Sequence, residues 1–181
     1  RTEGGPLPRP EPDSPRPDVA FRAEFHAGPE AVGWSWTLRN DGDEPILVFA
    51  GPDRGEEGPA PTWVLGARGT TVELAQRLLA TPEYVAFDEP YGLVPAVLQP
   101  GAVLSGVAEA PLPLATTLPW GADVDPERAV PTSPREVYLC VGVGTAAEFG
   151  EELAAATPYV AHAAATARSQ HQFCTDTEPL P

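Results

Sequence analysis

The chain has 181 residues, of which 24 are proline, and it carries a formal net charge of −15. This length suits a single domain, and a proline content of more than twice the usual share of about 5% favours short strands joined by loops over long helices. The arginines are scattered and lysine is absent, which argues against a nucleic-acid partner, and no apolar run is long enough to span a membrane.

The first seventeen residues have the composition of a tether. They contain six prolines, charges of both signs and a single aliphatic residue, Leu7, so they cannot anchor a core. We expect residues 1–17 to be disordered and residues 18–181 to form one β-sandwich domain. A chain that starts at Arg1 with such a tether is also what remains when a signal peptide or lipoprotein leader is removed. We therefore expect an extracytoplasmic protein, secreted or in the cell envelope, and a lipid anchor could precede Arg1. The alternative is a truncated cytoplasmic protein.

Alternating apolar residues predict strands over the first part of the domain. Residues 19–26 have this period, and so do residues 32–38, where large apolar side chains occupy every second position. Those side chains are Val32, Trp34, Trp36 and Leu38. Residues 40–43, Asn-Asp-Gly-Asp, favour a turn that leads to a third strand at 46–50. The turn joins its two strands as a β-hairpin or as a corner between two sheets.

The middle of the chain combines short strands with long connections. Residues 51–61 are rich in glycine, proline and acidic groups, which predicts a long exposed loop. Residues 62–65 and 70–79 are predicted to be strands joined at Gly66-Ala67-Arg68-Gly69, although the leucine spacing also fits a helix. Irregular chain is expected over 81–95, a turn at 98–101, a strand over 102–109 and a Pro-rich crossover over 110–134.

The last third of the chain contains the most apolar strand and the best helix. The strand spans residues 137–143 and is too continuously apolar to lie at the edge of a sheet. Thr145 and Glu148 stand at capping-box spacing, and Pro158 closes the segment, so a helix is predicted over 146–156. Residues 159–174 are expected to form a last strand or pair of strands.

Seven to nine short strands, frequent turns and long crossovers are typical of an all-β, immunoglobulin-like β-sandwich. The run from Thr37 to Ile46, followed much later by Leu98-Gln99-Pro100-Gly101 before another strand, resembles exported immunoglobulin-like domains of bacteria. It is also similar to the domain of BsuPI-type proteinase inhibitors. The resemblance covers residues 18–109 and consists mostly of turn residues. It implies a fold, and it transfers no functional residue.

Cys140 and Cys174 are the only cysteines. An exported protein with two cysteines usually pairs them, so we predict a disulfide between these residues. The alternation of the strand places Cys140 on the face opposite Val137, Leu139 and Val141, so the bond would tie the last strand to the sheet across neighbouring strands. Two buried free thiols in a cytoplasmic protein are the alternative.

One glycine-rich motif has the spacing of a dinucleotide-binding turn but lacks the residue that would complete it. Gly142, Gly144 and Ala147 fit G-x-G-x-x-A between an apolar strand and a helix, as a dinucleotide-binding turn requires. The acidic residue that should hold the ribose some twenty positions later is absent from the sequence around 161–167. A dinucleotide-binding enzyme fragment therefore remains only a remote alternative, and no cofactor is predicted.

Asp123, Asp125 and Glu127 alternate as the first ligands of an EF-hand loop do, but Arg128 and Pro134 stand where that loop needs glycine and glutamate. An ordinary solvated acidic loop explains the pattern, a calcium site of another type is the alternative, and no metal site is predicted. The serines and histidines form no local catalytic motif.

The sequence thus predicts a non-catalytic exported domain, tethered to the envelope, that acts by contact with a protein or cell-wall component. The alternative function is a proteinase inhibitor of BsuPI-like type.

Overall fold

Twelve strands and two α-helices make up the part of the chain that the computed structural model describes, residues 9–50, 60–83 and 91–181. The strands are Val19–Ala27 (β1), Ala31–Asn40 (β2), Ile46–Val48 (β3), Trp63–Gly66 (β4), Thr71–Gln76 (β5), Gly92–Leu93 (β6), Ala96–Leu98 (β7), Val103–Pro111 (β8), Glu136–Gly144 (β9), Val160–Ala161 (β10), His171–Cys174 (β11) and Glu178–Pro179 (β12). The helices are Ala146–Ala154 (α1) and Ala164–Ser169 (α2). The prediction of a mainly β fold is confirmed. The strand number exceeds seven to nine because several strands have only two or three residues.

The small sheet has three antiparallel strands in the order β1-β2-β8. Its inner face consists of the alternating apolar side chains of β2, all at most 3% exposed, while Ser35 and Thr37 on the other face are exposed. The predicted one-sided burial of this strand is confirmed.

The turn after β2 is a corner between sheets, since β3 belongs to the large sheet. Asn40, which is buried, holds this corner with its side chain. Its Nδ2 donates to the carbonyl oxygens of Glu44 at 2.8 Å and Leu98 at 3.0 Å, and its Oδ1 accepts from the backbone N–H of Gly42 at 3.0 Å. One amide thus satisfies backbone groups from two segments and fixes where the chain crosses from one sheet to the other.

The large sheet has seven strands, with β9 at its centre. β9 pairs in parallel with β5 and antiparallel with β3, β11 and β12, and β4 and β7 lie further out. All residues of β9 after Glu136 are buried, so the prediction of an interior strand is confirmed. The predicted strands at 62–65 and 70–79 also form, as the antiparallel pair β4–β5.

The large sheet is covered on both faces. Side chains at alternate positions of β9, such as Val137 and Leu139, face the small sheet across the main hydrophobic cluster. On the opposite face, Leu47 of β3 packs with Phe149 of α1, and Leu65 of β4 packs in a further cluster. The two sheets therefore share one core, and the helices and crossovers form a third layer behind the large sheet.

The segment after α1 differs from the prediction. In place of one or two strands over 159–174, the chain forms β10, then α2, then β11. The run Ala163-Ala164-Ala165-Thr166-Ala167 has high helix propensity, and Thr166 Oγ1 accepts the backbone N–H of Ala163 at 3.1 Å, which satisfies a donor at the start of the helix. α1 forms as predicted, from Ala146, and ends two residues early.

Three other segments complete the comparison. Strand β8 matches the strand predicted at 102–109, while β6, in the segment predicted to be irregular, and β7 were not predicted. The crossover over 110–134 contains two short 3-10 turns, Ala122–Val124 and Pro126–Arg128. Most of the predicted acidic loop, residues 51–59, and part of the irregular segment, residues 84–90, lie outside the described residues.

The predicted disulfide between Cys140 and Cys174 is confirmed. The two residues lie directly opposite each other in the antiparallel pair of β9 and β11. The bond therefore ties β11 to the central strand of the large sheet, as the strand alternation predicted. Among the described residues, no helix combines the length and the apolar content that crossing a membrane requires.

Candidate functional site

The glycines of the motif, Gly142 and Gly144, lie at the end of β9 and are required by close packing. A side chain at Gly142 would collide with Gln170 and Arg77, and one at Gly144 would collide with Phe149. The strand that follows α1 is β10, which pairs antiparallel with β6 in a separate two-stranded sheet. The turn that contains Ala147 therefore does not open the βαβ unit that a dinucleotide site needs.

The acidic residues of the 110–134 crossover do not converge on one point. Asp125 is 5% exposed and lies 3.5 Å from the guanidinium of Arg128, while Asp123 and Glu127 belong to separate 3-10 turns. The described residues hold no group of three potential metal ligands. Asp125 thus has a cationic partner within its own loop.

A buried charged network lies on the outer side of the large sheet. The carboxylate of Glu73 accepts from Arg77 Nε at 2.6 Å and Nη2 at 3.2 Å and from the hydroxyl of Tyr138 at 2.9 Å. Burial lowers the pKa of Arg77, but the charge of Glu73 more than compensates, and the net shift is upward. The charges satisfy each other and tie β5 to β9, which is a structural role.

His162 is a buried histidine with a strongly lowered pKa. It is 2% exposed, its Nδ1 accepts the backbone N–H of Leu79 at 2.9 Å, and its ring packs edge-on against Trp120. Burial, followed by the charges of Arg77 and Arg128, lowers the pKa of His162 to about 4. The ring is therefore neutral at pH 7, and the bond at Nδ1 places its proton on Nε2, which has no hydrogen-bond partner in the described part of the chain.

The outer face of the small sheet forms an open concavity of about 530 Å³. Strand pairing sets its side chains in two rows that cross all three strands. One row is Arg22, Thr37 and Ser105, and the other is Glu24, Ser35 and Val107. Val107 is 57% exposed. The face thus presents one positive charge, one negative charge, three hydroxyl groups and an apolar side chain to solvent.

This face has a rigid support beneath it. Trp36 points inward, and its Nε1 donates to Gln76 Oε1 at 2.9 Å, while Gln76 Nε2 donates to the carbonyl of Val107 at 3.0 Å. Gly106 leaves room for the indole ring, since a side chain there would overlap Trp36. The small sheet is in this way joined to β5, so the outer face rests on a fixed scaffold.

Residues 9–17, the described part of the predicted tether, are called the arm below, and they contact β11. Arg16 Nη2 donates to the carbonyl of Gln172 at 2.7 Å, and Arg16 stacks 4.1 Å from the ring centre of Phe173. Glu11 Oε1 accepts the backbone N–H of Gln172 at 3.3 Å, and Ser14 lies 3.4 Å from His171 Nε2. The described part of the predicted tether thus lies against β11, held there by charged side chains.

Neither the outer face nor the arm contact was predicted from the sequence. The exposed positions of β2 and β1 follow from strand alternation, but their alignment into rows depends on strand register. The arm contact joins residues more than 150 positions apart, and no local pattern signals it.

No family model, curated protein or solved structure matches this chain.

Proposed function

We propose that the chain is an extracytoplasmic, non-catalytic binding module with an immunoglobulin-like β-sandwich fold, secreted or held at the cell envelope. Two facing sheets with one shared core support the fold, and the disulfide supports the location, since such bonds persist in oxidising compartments. The module acts by contact with a protein or cell-wall component through the outer face of the small sheet.

The observation that carries this proposal is the outer face itself. Its concavity of about 530 Å³ is bounded by charged, hydroxyl and apolar side chains from three strands, and most of its exposed lining is apolar. This suits a partner that offers an apolar contact with polar groups around it. The face is supported from below by the Trp36–Gln76 hydrogen bond. A rigid face reduces the entropy that is lost on binding.

The buried polar groups support a non-catalytic role. Glu73, Arg77 and Tyr138 are engaged with one another, and Nδ1 of His162 holds the backbone at Leu79. These contacts stabilise the fold, whereas a catalytic acid or base has to reach a substrate.

The test is retention of a binding partner from the envelope fraction of the source cells by the immobilised full chain. Ser35→Arg and Val107→Glu each alter the outer face, and Glu151→Arg is the matched control because it changes an exposed position of α1. We expect a partner that is retained by the native chain and by Glu151→Arg to be lost from both face variants. The face variants should shift the free energy of unfolding by less than about 0.5 kcal/mol, which urea unfolding checks.

Equal retention by all four proteins would contradict the assignment to this face. Titration of secreted proteases with the native chain separates the proposal from a BsuPI-type inhibitor. Stoichiometric loss of protease activity that persists in Ser35→Arg would favour the inhibitor.

A further inference from the structure

The outer edge of β11 presents backbone groups that do not bond to β9. Gln172 is paired in register with Gly142, but both its N–H and its carbonyl bond to the arm. Because the backbone groups of alternate residues in a strand point the same way, those of Cys174 also face outward. The Cα–Cα distance of 4.1 Å between Cys140 and Cys174 fits a pair that shares no ladder hydrogen bond. The edge therefore offers donors and acceptors at 172 and 174.

At Gln172 this edge is covered by side chains of the arm. Among the described residues, no backbone strand pairs with it there. Glu11 and Arg16 pair with each other at 2.5 Å, and their side chains remain 33% and 46% exposed. The arm is held on β11 by hydrogen bonds from these two side chains to Gln172 and by the contact of Arg16 with the ring of Phe173, and each such contact contributes only about 0.5–1.5 kcal/mol. The cover is therefore held less firmly than the strand beneath it, which the disulfide ties to β9.

Beyond the arm, a groove of about 280 Å³ runs between the edge of β1 and the segment 174–178. Its exposed lining is mainly polar: Asp176 and Glu178 supply acidic groups, and the rings of Phe21 and Phe25 border it on the β1 side. The groove thus continues from the outward-facing edge of β11 and carries negative charge. A basic partner complements it, and the net charge of −15 adds a long-range attraction.

We propose that this edge is a strand-addition site for an extended, basic segment of another protein. The segment pairs its backbone with Gln172 and Cys174, places apolar side chains against Phe21 and Phe25, and displaces Arg16. Its arginine or lysine side chains meet Asp176 and Glu178. This site is separate from the outer face of the small sheet and does not depend on the function proposed for that face.

The probe is the labelled peptide (Val-Arg)₃, capped at both ends, with binding to the full chain followed by fluorescence anisotropy. Two peptides are controls: (Val-Glu)₃, and (Val-Arg)₃ with N-methylated valines, which keeps the charges and removes backbone donors. We expect only the first peptide to bind. In a ¹⁵N-labelled protein, its binding should shift the amide resonances of Gln172 and Cys174.

Variants of the protein then test the cover and the charges. Arg16→Ser removes the cover and should tighten peptide binding about fivefold, while Arg39→Ser, which removes an equal charge beside Asp41, should not tighten it. The double variant Asp176→Asn/Glu178→Gln should weaken binding about tenfold. Ser35→Arg on the outer face should have no effect, which separates the two proposals.

Several results would overturn the strand-addition site. Equal binding of the methylated and unmethylated peptides would show simple charge attraction. No tightening with Arg16→Ser would show that the arm does not compete. Dimerisation of Arg16→Ser in sedimentation, without peptide binding, would assign the edge to a second copy of the chain.

Discussion

The two sheets of this molecule bury their strands in different ways. β2 of the small sheet alternates between buried and exposed residues after Trp34, whereas eight of the nine residues of β9 in the large sheet are buried. The small sheet has one face on the core and one in water. The large sheet lies between the small sheet and the layer of helices and crossovers.

The difference suggests that the large sheet mainly stabilises the fold, while the outer face of the small sheet is available for contact with a partner. The large sheet contains the disulfide, the Glu73–Arg77 pair and the parallel pairing of β5 with β9. Substitutions in it or behind it should therefore change the free energy of unfolding strongly. The small sheet should be sensitive only on its inner face, and its outer face can vary at little cost to stability.

Loss of the disulfide should produce the largest effect. The bond joins residues 34 positions apart, and closing a loop of this length is worth about 3.5–4 kcal/mol in the chain-entropy model. We expect Cys140→Ser/Cys174→Ser to lower the free energy of unfolding by that amount in urea titrations. Reductant should destabilise the native chain similarly and leave the double variant unchanged. An unchanged midpoint after reduction of the native chain would contradict the role given to this bond.

Acid should destabilise the layer behind the large sheet through His162. Its folded pKa of about 4 lies below the ordinary value of 6.5, so between these values the unfolded chain binds a proton that the folded chain does not. Stability is complete above pH 6.5 and falls as the pH drops towards 4, by about 3 kcal/mol in total.

The variant His162→Asn keeps an acceptor for the N–H of Leu79 and should flatten most of the pH dependence of the unfolding free energy between pH 6.5 and 4.5. A smaller pH dependence should remain from His171. Burial lowers the pKa of His171, although the nearby charges of Glu11 and Glu148 act to raise it. His26→Asn, on the exposed end of β1, is the control. Equal slopes for His162→Asn and the native chain would refute the assignment.

The smallest of these effects tests the inner face of the small sheet. Gly106→Ala places a methyl group against the indole ring of Trp36, and such overpacking typically costs about 1–3 kcal/mol. Gly150→Ala is the matched control, since open space surrounds that position in α1, and it should stabilise the chain by about 0.5–1 kcal/mol. Thermal unfolding measures both. If Gly106→Ala left the thermal stability unchanged, the indole ring of Trp36 would be able to move aside.

Local pattern was enough to predict several elements of this fold. The alternation of Val32, Trp34 and Trp36 gave β2, the continuous apolar run gave β9, and the Thr145–Glu148 spacing located α1. The disulfide was predictable because the chain has two cysteines. The strands and the helix depend on residues that are close in sequence, and the disulfide depends only on the number of cysteines.

The remaining features depend on contacts between distant residues. The sequence left the turn at 40–43 open between hairpin and corner, and what fixes the corner is the bond from Asn40 to the carbonyl of Leu98, 58 positions away. The helix α2 was missed because a short alanine-rich run between apolar residues also fits a strand. The arm contact and the rows of the outer face depend on register and on long-range pairing, which periodicity does not report.

The central position of β9 has a consequence for the order in which the chain can assemble. All three strands of the small sheet lie before residue 112, whereas β9 begins at Glu136. A chain growing from its N-terminus holds the whole small sheet while β3 and β5 still lack the strand that joins them. The large sheet closes only when the last quarter of the chain has been made, and β11 supplies the second cysteine later still. The disulfide can therefore form only after both β9 and β11 have been made, when the central strand of the large sheet is already present.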